Sequence, residues 1–243
     1  MRRVSRATRI NDTDPARSLF AGFIFMTLFF VGVILMLAGP SATVAHAQTL
    51  PREALQTLLT GNGRYVGNTA IRPNPAHRPS DAKQHPIATV LSCSDSRVPP
   101  EILFDQGVGG IFVVREAGNT YNALGFESIE YAVTQLKTPL IVVLGHDSCG
   151  AVTAAVDSYP KPNVGPLRKN IYPAVRKALK LPHNDQEELI SNAVDQNAIL
   201  MARSLAEKQA LKKLIKTGDL EIVAARYNLT TGAVKILERE ANS

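Results

Sequence analysis

"PLIVVLGHDSCGAV", residues 139–152, opens as an apolar run and ends with a histidine and a cysteine three positions apart. The first eight residues have strand length, and the β-branched Ile141, Val142 and Val143 favour an extended chain. A strand with one wet face would alternate apolar and polar residues; a continuous run is buried on both faces, as in a parallel sheet. "PIATVLSC", 86–93, and "GIFVVRE", 110–116, are two further strands of this kind. Between 110–116 and 139–146 lies "ALGFESIEYAVTQLK", 123–137, with Leu124, Ile129, Ala132, Val133 and Leu136 at helical spacing. Strands alternating with helices make an α/β fold: three layers, a mostly parallel central β-sheet and flanking helices.

Working outward, "PREALQTLLTGNGRYVGN", 51–68, reads as an N-terminal helical arm ending at its glycines, and "IRPNPAHRPS", 71–80, as an extended loop. "CGAVTAAVDS", 149–158, starts a helix, and 166–217 is a long polar helical region. "DLEIVAARYNLTTGAVKILE", 219–238, reads as two strands joined at a Thr-Gly turn. No repeat or low-complexity linker interrupts residues 48–243, which form one domain.

Residues 1–47 differ in kind. Positions 19–38 carry no charge, five arginines precede them, and Ala45-His46-Ala47 fits a small-x-small cleavage site. This segment is a signal peptide with Gln48 as the new N-terminus, or a retained membrane anchor of bilayer-spanning length. In both cases the domain is exported, periplasmic or secreted. Half of the formal net charge of +6 belongs to this segment. The remainder shows no basic stripe with interleaved aromatics, which argues against nucleic-acid binding.

The chain has two cysteines, Cys93 and Cys149. Cys93 and His146 end two parallel strands, and Cys149 begins the following helix, at the sheet edge where open α/β folds bind ligands. Cys₂His is a catalytic zinc ligand set with a fourth position open, and thiolates favour zinc over magnesium or calcium. One Zn2+ per chain is expected. An exported protein with two cysteines can instead pair them as a disulfide, which leaves His146 unexplained. In "CSDSR", 93–97, an extended segment would project Cys93, Asp95 and Arg97 to one face, with Asp95 beside the metal and paired to Arg97. Asp147 and Ser148 read as turn residues that orient the ligands, and Gly150 as a point of close backbone approach.

"CSDSR" followed about fifty residues later by "GHDSCGAV" resembles the β-class carbonic anhydrases; "FVVREAGN", "SIEYAV" and "TGAVKIL" follow that family in the same order. The resemblance implies zinc held by Cys93, His146 and Cys149, an Asp95–Arg97 catalytic dyad, and hydration of CO2 to bicarbonate by zinc-activated hydroxide. It implies a homodimer or larger homo-oligomer, with the N-terminal helix embracing a neighbour. Gln106 is the candidate for a glutamine that contacts substrate across the subunit boundary. Some members switch off when the aspartate, here Asp95, becomes a fourth zinc ligand, aided by a bicarbonate pocket that contains tryptophan. Arg115 stands at that pocket's arginine position, but the chain has no tryptophan, so the open form is expected. Two other readings remain: hydrolysis of carbonyl sulfide or carbon disulfide at the same zinc site, and a non-catalytic disulfide- or zinc-stabilised binding protein.

Overall fold

The computed structural model describes residues 49–71 and 83–241. Residues 1–47, expected to be a signal peptide or membrane anchor, and most of the expected loop at 71–80 lie outside the described residues. Among the described residues, no helix is long and apolar enough to cross a membrane.

Five strands form one sheet in the order β2-β1-β3-β4-β5: β1 (Ala88–Ser92), β2 (Ile111–Arg115), β3 (Leu140–His146), β4 (Glu221–Tyr227) and β5 (Val234–Glu240). β2, β1, β3 and β4 run parallel, and only the terminal hairpin β4–β5 is antiparallel. Every residue of β1 and β3 is buried, as expected for strands covered on both faces.

Alternate residues feed two cores. Val90, Leu140, Val142 and Leu144 pack with Ala54, Leu55 and Leu58 of helix α1 (Pro51–Val66), and with Leu103 of a short helix α2 (Pro100–Leu103). Leu91, Ile141 and Val143 pack on the opposite face against helices α3 (Ala123–Thr134), α6 (Gln186–Ala206) and α7 (Gln209–Thr217). Helices α4 (Gly150–Ser158) and α5 (Pro166–Ala178) build a third cluster with the N-terminal half of α6, and both cysteines belong to it. The expected three-layer α/β architecture is therefore present, with α1 packed on a face of its own sheet.

The long polar helical region expected at 166–217 is present and consists of α5, α6 and α7. The break before α6 has a local cause: the Asp185 carboxylate accepts from the Glu188 amide at 2.8 Å, and the Glu188 carboxylate accepts from the Asn184 amide at 2.8 Å. Such reciprocal caps start a new helix.

Candidate metal centre

β1 and β3 are neighbours in the sheet, so their C-terminal ends bring Cys93 and His146 together. The chain then turns back through Asp147 and Ser148, with Ser148 in the left-handed region at φ 50°. This reversal sets Cys149 at the N-cap of α4. A ring nitrogen of His146 and the two sulfurs all lie within 4.8 Å of one another, and all three residues are buried.

The sulfurs stand 3.9 Å apart and both thiols are free. A disulfide would hold them at about 2.05 Å. Two thiolates on one tetrahedral ion, each at about 2.3 Å, would be about 3.8 Å apart, so the spacing matches shared ligation. The imidazole points the same way. His146 Nδ1 lies 2.8 Å from the Asp147 carbonyl oxygen, which can only accept, so Nδ1 carries the proton. Nε2 is left with a lone pair, is fully buried, and has no hydrogen-bond partner among the described residues. A buried acceptor without a donor is costly; a metal ion would satisfy it.

Cys93 is prepared as an anion. Its thiol is held well below the ordinary thiol range, first by the hydrogen bond from Cys149 and then by the backbone N–H groups of Asp95 and Gly118, against the opposing effect of burial. Those two amides donate to its sulfur at 3.4 Å and 3.2 Å. Cys149 is pushed up by its bond to that anion and by burial. Coordination to a metal ion would remove the proton of a ligating thiol.

Asp95 joins this group: its Oδ2 is 3.9 Å from His146 Nε2. The route differs from the extended segment expected. Asp95 opens a turn closed by the Val98 amide donating to its carbonyl at 3.0 Å. Arg97 therefore reaches back rather than lying alongside. Its Nε and backbone N–H donate to Oδ1 at 3.0 Å and 2.9 Å, and its Nη2 donates to Oδ2 at 2.7 Å. This fork holds the Asp95 carboxyl well below the usual carboxylate range, the side-chain bonds to Arg97 contributing most.

Other candidates fall elsewhere. Gln106 is not brought to this cluster within the single chain: its amide donates to the Phe104 carbonyl at 2.9 Å. Arg115 is engaged with the backbone of the site, donating to the carbonyls of Cys93 at 3.1 Å and Asp95 at 2.6 Å. Gly150 meets nothing within 4 Å of where a Cβ would stand, so the close approach expected there is absent. Gly118 supplies it instead. It lies at φ 67°, presents its N–H to Cys93, and its carbonyl accepts from the buried Asn197 at 2.7 Å. The only signal for Gly118 was its place in "REAGN".

The carbonic anhydrase family model matches residues 88–234. Carbonic anhydrase 2 of Mycobacterium tuberculosis is 39% identical over 206 residues, spanning 80% of this chain and 96% of that protein. The carbonic anhydrase of Mycolicibacterium smegmatis is 40% identical over 195 residues, 76% of this chain and 93% of its own length. Among solved structures, the Coccomyxa β-carbonic anhydrase in complex with acetazolamide superposes with a TM-score of 0.63 at 26% identity, covering 77% of this chain and 88% of that one. Fold, cysteine–histidine–cysteine cluster and relatives agree: the chain belongs to the β-class carbonic anhydrase family and is an enzyme of the carbonate dehydratase type.

Proposed function

We propose that the protein hydrates CO2 reversibly to bicarbonate and a proton at one zinc ion held by Cys93, His146 and Cys149, with Asp95 and Arg97 as the catalytic pair. The observation that carries this reading is the unpartnered, buried Nε2 of His146 beside two sulfurs 3.9 Å apart. When bound, zinc supplies a Lewis acid that brings the pKa of water down to about 7 and makes hydroxide available near neutral pH. Cys93, His146 and Cys149 contribute three ligands and leave one position free.

Asp95 does the orienting. As a carboxylate it only accepts hydrogen bonds, so it would accept one from the attacking water or hydroxide and hold the oxygen lone pair toward CO2. Arg97 keeps it ionised and holds both of its oxygens. Moving Asp95 onto the metal as a fourth ligand requires Oδ2 to leave its 2.7 Å bond to Arg97, which favours the open form. The hydration proton would leave to solvent past Asp95 and Arg97, whose side chains are 17% and 55% exposed beside the buried ligands.

The proposal extends to a homodimer or larger homo-oligomer, in which Gln106 serves a neighbour's site. It also includes export through residues 1–47; supporting this are the charge-free stretch 19–38 and the Ala45-His46-Ala47 site. N-terminal sequencing of the mature protein should return Gln48 if the segment is cleaved.

Stopped-flow CO2 hydration, with zinc measured on the same sample, tests the activity. One zinc per chain with hydration that collapses in Asp95→Asn supports it. Zinc-loaded protein that releases sulfide from carbonyl sulfide but leaves CO2 unhydrated refutes it.

A further inference from the structure

We infer that Arg226, 80 residues beyond His146 in the chain, is a positioning residue for the metal centre and acts through Asp147. Asp147 is held at every polar atom. Its N–H donates to the Tyr227 carbonyl at 3.1 Å, its Oδ1 accepts from Arg226 Nε at 2.6 Å, and its Oδ2 accepts from the Leu229 amide at 3.3 Å. Its remaining group, the carbonyl, is the acceptor that fixes His146 Nδ1 at 2.8 Å. The peptide that orients the imidazole is therefore clamped from β4 and the turn after it.

Arg226 is itself anchored. Its Nη1 donates to the Ser191 carbonyl at 3.2 Å, the Ser191 hydroxyl at 2.9 Å and Asp195 Oδ1 at 3.1 Å, all on α6. The Arg226 and Asp147 side chains are 22% and 18% exposed, so solvent screens this pair less than a surface ion pair. The path runs from α6 through Arg226 and the Asp147 side chain to its backbone, and so to the tautomer and ring direction of His146. Groups that hold a metal-ligating histidine in this way typically change metal affinity 10–100-fold when removed.

This inference rests on the zinc reading, and the test separates the two. Zinc affinity is measured by chelator competition on the full chain, with unfolding of each metal-free variant followed in parallel. Arg226→Met and Asp147→Asn should each weaken zinc binding by about 10–100-fold, and the double variant should be no weaker than the worse single, because both cut one path. Arg226→Lys, which keeps the charge but loses the fork, should fall between wild type and Arg226→Met; it also serves if Arg226→Met does not fold. Arg203→Met, which removes a comparable pair to Glu238 on α6 and β5, should bind zinc as wild type does. Wild-type affinity in Arg226→Met or Arg226→Lys, or losses that multiply in the double variant, overturns the inference alone. A wild-type chain that binds no zinc overturns the zinc reading and this inference with it.

Discussion

Gly118→Ala tests how tightly the fold grips the metal centre. Gly118 sits at φ 67°, where a side chain costs about 1–2 kcal/mol. A Cβ there would lie 3.0 Å from Ile171 Cδ1 and 3.2 Å from Ala151 Cβ. The isoleucine methyl can rotate away. Ala151 cannot, because its Cβ moves only with α4, and α4 carries Cys149 at its start. Overpacking of this kind costs about 1–3 kcal/mol. A total of about 3 kcal/mol lowers the melting temperature of a domain this size by about 6–12 °C. The matched control is Gly109→Ala: φ is 83° but nothing lies within 4 Å, so it incurs only the backbone term, about 2–8 °C. Calorimetry of metal-free and zinc-loaded forms gives both values. Because the Gly118 N–H donates to Cys93, Gly118→Ala should also lose zinc faster in chelator, whereas Gly109→Ala should not. Equal melting temperatures for the two variants, with equal zinc retention, would refute this account of the loop.

Asp95→Asn should keep its zinc and lose CO2 hydration by about 10²-fold or more, read by stopped flow with metal analysis; unchanged turnover would remove Asp95 from the chemistry. Stripping zinc should lower the melting temperature by about 8–16 °C relative to protein with free zinc at a thousandfold excess over Kd, which corresponds to about 4 kcal/mol. Glu238 is held below the usual carboxylate range chiefly by its bond to Arg203. Its contribution is therefore present above the ordinary carboxylate pKa and lost as pH falls through the lowered value, and Arg203→Met should flatten that acid limb of stability by under about 1 kcal/mol, seen in urea midpoints across pH. Thiol titration of metal-free protein under mild reduction should find both Cys93 and Cys149 reactive once unfolded; a value of zero would restore the disulfide.

The parallel strands were legible because burial on both faces leaves its mark in composition: β3 is apolar from Leu140 to Gly145 and buried throughout. The cysteine–histidine–cysteine cluster is legible for a related reason, since strand order at a sheet edge converts Cys93 and His146, 53 residues apart, into neighbours. The Asp95–Arg97 pairing was foreseen but by a different path, because Ser96 and Arg97 lie in a turn rather than on an extended face. The α5–α6 break had a readable cue in "NDQEE", whose aspartate and glutamate cap the next helix. The hold on His146 had no local cue. Arg226, Ser191 and Asp195 reach Asp147 only through the pairing of β3 with β4 and the packing of α6. Likewise, nothing in "AGN" announces that Gly118 must face Cys93 with no room for a methyl group.

The central claim is that Cys93, His146 and Cys149 bind one zinc ion and leave one position open. X-ray absorption at the zinc edge of the purified protein tests it directly. The account predicts two sulfurs at about 2.3 Å, one imidazole nitrogen at about 2.0 Å and one further light atom. A shell with fewer than two sulfurs, or one unchanged by Cys149→Ser, would contradict it.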